Sequence, residues 1–306
     1  MPPRPFRVAL LMAGYLLAAL LTISPVSAAE ITDELGRKLV LPDRPGRIIG
    51  LTPALTEILF DLDLDGRIVG ATTWADHPPQ AARLPRVGSY ISPNVERIVV
   101  LNPDLVLADR EGNPPRVVER LEQAGLPVFV TRSDDPVRLP EQIARVGMVC
   151  GRAERGRVLA EELRSRIHAA TARLTETPPV RALMVMGNRP LICAGPETLH
   201  GKLLVMLRAD NLAQNAPGHW PKLSLEYVIQ ARPEVIVVAT MEQGAARENL
   251  LRFWREAPGL DGPLRPRIEA IDADLITRPG PRLGLGIETL AGILHPDRFP
   301  SGSQNP

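Results

Sequence analysis

The stretch Arg47-Ile48-Ile49-Gly50-Leu51-Thr52-Pro53 decides the fold class. Its apolar centre shows no alternation and reads as a short buried strand. Thr52 then offers an N-cap, and Pro53 takes the first helical position. Leu55, Ile58, Leu59 and Leu62 follow at helical spacing. Asp65-Gly66 turns the chain into a second apolar strand over 67–71. A strand–helix–strand order with apolar strands is the signature of an α/β sheet with parallel pairing.

Outward from there the pattern repeats. Residues 105–108 read as a strand, a helix follows near 115–124, and 128–130 form a fourth strand. Residues 137–174 read as mostly helix. Leu139, Ile143 and Val146 share one apolar face, and after Gly151 the face continues through Leu159, Leu163, Ile167, Ala170 and Leu174. The part beyond Gly151 alone spans about 33 Å at 1.5 Å per residue. Thr177-Pro178-Pro179 stops it. A second run follows, with strands over 182–186 and 235–239 and helices near 198–207, 248–256 and 283–294. The expected fold is α/β, with two α/β lobes joined by a single long helix. The first lobe covers 29–138, the connecting helix 139–175, the second lobe 176–300, and a tail 301–306.

Residues 1–28 stand apart. Arg4 and Arg7 precede an apolar run over 8–23, and Val26-Ser27-Ala28 fits a small-residue cleavage site. The run is short for a membrane span of about 20 residues. The reading is an export signal cut before Ala29, which places the mature chain in a periplasm. Removing it takes away two Arg and no acid, so 36 Lys+Arg against 35 Asp+Glu becomes a net charge of about −1. No basic footprint for nucleic acid remains. Cys150 and Cys193 are the only cysteines, in no CxxC pattern, so a cysteine-built metal centre is not expected. They could pair in an oxidising compartment or stay as two isolated thiols.

The two halves share a segment. Tyr90-Ile91-Ser92-Pro93-Asn94-Val95-Glu96 leads to Pro103-Asp104-Leu105-Val106-Leu107, and Trp220-Pro221-Lys222-Leu223-Ser224-Leu225-Glu226 leads to Pro233-Glu234-Val235-Ile236-Val237. In each, Asn94 or Ser224 is placed to cap a helix, the Glu falls in its first turn, and Pro ends it. A first-turn Glu complements the helix dipole by about 0.3–1 kcal/mol, which alone could justify both. Their matched positions suggest more: two exposed carboxylates on one edge, a two-point dock for a symmetric partner with basic sockets. The two aromatics would then face each other across the mouth between lobes. The chain has 11 aromatics, of which Phe6 and Tyr15 fall in the leader, so their placement is informative.

These residues resemble the periplasmic substrate-binding proteins of ABC importers for cobalamin, haem and ferric siderophores. Leu51-Thr52-Pro53-Ala54-Leu55-Thr56-Glu57 is similar to that family's helix start. Thr73-Trp74-Ala75-Asp76-His77-Pro78-Pro79-Gln80-Ala81 is similar to its aromatic-x-Asp-Tyr-Pro-Pro loop. Val95-Glu96-Arg97-Ile98 with Asn102-Pro103-Asp104-Leu105-Val106, and Pro279-Gly280-Pro281-Arg282, resemble two further blocks. The likeness runs from about Arg47 to Pro296. It implies a class III periplasmic binding protein fold, with the ligand between rigid lobes. It implies that Glu96 and Glu226 meet Arg residues of a permease dimer in the inner membrane. It implies that Trp74, Tyr90, Trp220 and Arg282 line the cleft, with His77 in the same mouth loop. Two positions depart from the pattern: His77 replaces the usual Tyr, and Tyr90 stands where cobalamin-type members have Trp.

Rival chemistry finds little support. Gly195-Pro196-Glu197-Thr198-Leu199-His200-Gly201-Lys202 has five residues between its glycines where a P-loop needs four, and Leu203 replaces the Ser/Thr. There is no GxSxG and no HExxH. His77, His168, His200, His219 and His295 form no close pair. His168 reads as a surface residue, and His295 as a cation at a helix end. His77 and His219 in mouth loops, together with Tyr90, keep open an axial ligand to haem iron or cobalt. The expectation is therefore a monomeric binding protein with no catalytic residues, no resident metal and no cofactor. Its ligand is cobalamin or another corrinoid, with haem or a ferric siderophore as the alternative.

Overall fold

The computed structural model describes residues 28–260 and 265–300. The leader expected over 1–28, apart from Ala28, and the tail 301–306 lie outside the described residues. The described chain opens with a hairpin that the sequence pattern does not announce, β1 (Ala28–Thr32) antiparallel to β2 (Lys38–Pro42). Asp33 closes its turn by accepting from the Leu35 and Arg37 backbone N–H groups at 2.9 and 3.0 Å.

The first lobe runs β3 (Ile48–Gly50), α1 (Pro53–Asp61), β4 (Ile68–Ala71), α2 (Val95–Val100), β5 (Leu105–Asp109), α3 (Pro115–Gln123) and β6 (Val128–Thr131). Its four strands pair in the order β4-β3-β5-β6, all parallel. A connector follows, α4 (Leu139–Val149) and α5 (Ala153–Ala172). The second lobe runs β7 (Val180–Asn188), β8 (Leu191–Cys193), α6 (Leu199–Met206), β9 (Ala209–Asn211), α7 (Leu225–Ala231), β10 (Val235–Thr240), α8 (Gly244–Arg255), β11 (Arg267–Asp272), α9 (Ala273–Thr277) and α10 (Leu283–Leu294). Its sheet order is β11-β10-β7-β8, with β9 also on β7 and only β8 antiparallel.

Strand alternation explains why these segments read as unbroken apolar runs. Ile48, Leu105 and Leu107 face one core, while Ile49, Val106 and Ala108 face another. In the second lobe Met184, Val235 and Val237 join that same first core, while Leu183, Val185, Ile236 and Val238 face a third. Both lobes therefore share one apolar interior, which also takes Ile143 from α4, Leu159 and Leu163 from α5, and Ile287 from α10. Each such side chain contributes about 1.5–3 kcal/mol by burial. That shared interior resists large separation of the lobes.

The long connecting helix is α5, of 20 residues. Residues 139–149 are not its straight continuation. The chain turns at Cys150-Gly151-Arg152, with Gly151 at φ 68°, and α4 folds against α5. Gly147 and Gly156 make that approach possible: a Cβ on Gly147 would lie 2.7 Å from the Gly156 Cα. Both cysteines are buried and unpaired, one in the shared core and one in the second lobe's own core. Burial pushes each thiol up to about 12.

Candidate functional site

The repeated segment builds the same lock in each lobe. Asn94 Oδ1 accepts from the Arg97 N–H at 2.8 Å, and Ser224 Oγ from the Tyr227 N–H at 3.2 Å. These caps start α2 and α7 where the spacing places them, with Glu96 and Glu226 in the first turns. Each helix ends at a non-glycine residue of positive φ just before proline, Asn102 at 44° and Arg232 at 48°. An arginine at the start of each lobe's first central strand caps the far end. Arg47 donates to the Leu101 and Asn102 carbonyls, and Arg181 to that of Ala231. The acid after each proline closes the lock: Asp104 accepts from the Arg47 N–H at 2.9 Å, and Glu234 from the Arg181 N–H at 2.8 Å.

The surroundings of the two carboxylates differ. Glu96 accepts from Arg120 at 2.9 Å, an exposed pair. Glu226 has no ion pair among the described residues. Its carboxyl is held below its ordinary value by its own backbone N–H and by Ser224. Both remain exposed.

Between the lobes lies a cleft of ≈ 620 Å³. Trp74 and Tyr90 line it from the first lobe, and Trp220 from the second. Trp74 is carried by a loop that Arg86 clamps, donating to the Thr72 and Ala75 carbonyls at 2.8 and 2.9 Å. Tyr90 is tethered through its carbonyl to Asn113 Nδ2 at 2.8 Å, and the same nitrogen donates to the Leu51 carbonyl. Trp220 is set by pairing along β8, where the Cys193 N–H donates to the Pro221 carbonyl. Trp74 and Trp220 are 61% and 46% exposed, an open display for residues that normally seek burial.

Two expected residues do not face this cleft. His77 is exposed, and among the cleft walls its loop contributes Trp74 instead. Arg282 is not among the cleft walls; its Nε and Nη2 donate to the two Glu57 carboxylate oxygens at 2.8 and 2.7 Å. In that segment Arg278 is the arginine that reaches the cleft wall. It is fully engaged, by Glu57 at 3.0 Å, Asp76 at 2.7 Å and Asp274 at 2.9 Å. His295 also differs from the expected helix-end cation. It is buried, its Nε2 lies 2.8 Å from the Leu207 carbonyl, and burial lowers its basicity.

Several cleft residues carry no sequence signal of their own. Asp109 is buried at the end of β5, and burial raises its carboxyl. It accepts from Ser133 Oγ, Thr131 Oγ1 and the Glu111 N–H, and so pins two wall loops. Asp134 bridges the lobes, accepting from Arg132 and, at 2.8 Å, from Lys202 on α6. Gln142 on α4 is 4% exposed, and its Oε1 has no partner. His200 on α6 is 6% exposed with both ring nitrogens unpartnered, and burial drops its imidazole to about 4. The indirect signal for His200 is Thr198. It caps α6 as Thr52 caps α1, and both threonines line the cleft.

The electrostatics follow. Among the described residues, the Lys and Arg side chains lining the cleft are Arg132 and Arg278, and both are committed to carboxylates. Asp109, Glu111, Asp134 and Glu197 share the same walls. Aromatic and aliphatic faces dominate the rest. No cluster of metal-ligating side chains occurs among the described residues, and no helix there is long and apolar enough to cross a membrane.

A family model described as periplasmic binding protein matches residues 48–255. A vitamin B12-binding protein of Photorhabdus laumondii is 32% identical over 252 residues, covering 82% of this chain and 88% of the relative. The periplasmic vitamin B12 binding protein of Vibrio cholerae superimposes with a TM-score of 0.73 at 26% identity, covering 83% of this chain and 98% of that one. A periplasmic heme-binding protein of Roseiflexus, in apo form, gives 0.71 at 28% identity, covering 82% and 98%.

Proposed function

The chain belongs to the periplasmic binding protein family, and on that premise we propose that it captures cobalamin or another corrinoid and delivers it to an ABC importer. It is a solute-binding protein rather than an enzyme. The observation that carries the corrinoid reading is the charge of the cleft. Every arginine on its walls is already paired, and the remaining charged groups there are acids. Such a cleft offers a carboxylate no free arginine to pair with. Haem carries two propionates, whereas a corrinoid presents mainly uncharged carboxamides around its ring. Trp74, Tyr90 and Trp220 supply apolar faces of the kind a flat macrocycle covers. The vitamin B12-binding relatives point the same way.

In this reading Glu96 and Glu226 are the contacts to the permease dimer. The protein works as a monomer in the periplasm once the leader is removed. A haem or ferric-siderophore ligand is the second reading. Tyr90 and His219 both line the cleft, and the heme-binding neighbour shares the fold at 28% identity.

Titration calorimetry with cobalamin, cobinamide, haemin and a ferric siderophore decides between them. The corrinoid reading expects a Kd below about 1 μM for cobalamin, roughly −8 kcal/mol. Absence of heat with all corrinoids would sink it, and a haemin Soret shift in the same panel would install the alternative. The double variant Glu96→Ala, Glu226→Ala should bind cobalamin as the wild type does while uptake in reconstituted vesicles falls. Collapse of binding would make the two glutamates pocket residues instead.

A further inference from the structure

His200 is costly where it stands. A buried polar group without a hydrogen-bond partner is destabilising, and an imidazole with neither nitrogen paired carries that cost twice. The fold goes to some length to hold it there. The Gly195–Thr198 turn folds back on the start of α6 so closely that a Cβ on Gly201 would lie 2.1 Å from the Gly195 carbonyl oxygen. The Gly195 N–H donates to the His219 carbonyl at 3.0 Å, which draws the Trp220 loop against the same turn. Trp220 consequently lies edge-on to His200, with ring centroids 5.3 Å apart and an interplanar angle of 60°. Both side chains line the cleft.

We infer that His200, covered by Trp220, is a specificity-determining residue that hydrogen-bonds an uncharged carboxamide of the ligand. The inference rests on the corrinoid reading above. A neutral imidazole keeps one acceptor nitrogen, which can take a hydrogen bond from the NH₂ of an amide but finds no donor on a carboxylate. Burial keeps the ring neutral across the ordinary pH range, so it offers no positive charge to a carboxylate. Gln142, equally uncharged and nearly buried on the same cleft, has an unpartnered carbonyl oxygen and so also favours a donor-bearing ligand group. Ligand entry displaces the half-exposed Trp220 edge and gives the imidazole a missing partner. A site built this way discriminates because an acceptor-only carboxylate leaves a buried nitrogen unpaired beside the cleft acids.

The test is His200→Leu against His200→Gln in the mature protein, with cyanocobalamin and a corrinoid in which one side-chain amide is hydrolysed to the carboxylate. Wild type should prefer the full amide by about tenfold or more, and His200→Leu should lose about tenfold in cobalamin affinity. His200→Gln should keep most of the affinity. Melting curves run alongside should show His200→Leu at or above the wild-type Tm, since it removes an unpaired buried group, which separates recognition from misfolding. Equal cobalamin affinity in wild type and His200→Leu overturns the inference while leaving the corrinoid reading intact. No corrinoid binding by the wild type overturns both. A visible-band shift of aquocobalamin that His200→Leu abolishes would put the imidazole on cobalt and overturn the amide assignment.

Discussion

Among the described residues two ion-pair bridges cross between the lobes, and water reaches them differently. At one, Glu57 of the first lobe is 2% exposed and holds Arg278 and Arg282 of the second, with Asp76 and Asp274 completing the cluster. At the other, Asp134 meets Lys202 across a partly solvated rim, their side chains 12% and 28% exposed. Both are lobe-to-lobe contacts of similar length. Desolvation separates them: breaking the first strands charge in a dry interior, while breaking the second returns charge to water. The first therefore behaves as a fixed joint, and the second as a contact that can open and close.

The largest effect should come from Glu57→Gln, which leaves two guanidinium groups short of their shared carboxylate. A loss of about 3–5 kcal/mol is expected, read as a lowered denaturant midpoint. A change below about 1 kcal/mol would erase the distinction between the two bridges. Next in size is Asp134→Asn, at about 1–2 kcal/mol. Its pH dependence sharpens the point. The hydrogen bond from Arg132, followed by that from Lys202, holds the Asp134 carboxyl well below the usual carboxylate range despite partial burial. A depressed carboxylate stabilises the fold above its unfolded value and loses that contribution as pH falls through the folded one. Wild-type and Asp134→Asn melting temperatures should thus stay a constant distance apart between about pH 5 and 8 and converge below about pH 3. Smallest is Lys202→Met, about 0.2–1 kcal/mol and shrinking with added salt. Its signature lies in kinetics: stopped-flow release of bound ligand should quicken. Unchanged release rates would show that the rim bridge does not gate the cleft.

How much of this could be read beforehand depends on which forces leave a mark in sequence. The central strands were legible because burial on both faces removes alternation, as in Val106-Leu107 and Ile236-Val237. Helix starts at Thr52, Asn94, Thr198 and Ser224 were legible because capping demands particular side chains. The edge strands β8, β9 and β11 are short or half-polar and leave weak patterns. The turn between α4 and α5 was hidden because both helices present apolar faces to one core, so the face looks continuous through Gly151. In the site, Trp74, Tyr90 and Trp220 stood out by being scarce, and the structure places all three on the cleft. Arg282 and Arg278 lie four residues apart and both bind Glu57, more than 200 residues away in sequence, so nothing local marks Arg278 as the one on the cleft wall. His200 is marked in sequence only indirectly, by the Thr198 cap two residues before it, because a missing hydrogen bond is a property of three dimensions.

The paired locks around Arg47 and Arg181 have a metrological consequence. Each ties the far end of a short helix to the first central strand of its own sheet, so Glu96 and Glu226 hold constant heights above their respective sheets. Neither carboxylate can drift on a loose loop. The span between them is then set by one variable, the angle between the lobes. The two side chains are the jaws of a caliper, and any surface that grips both reads how far the cleft has closed.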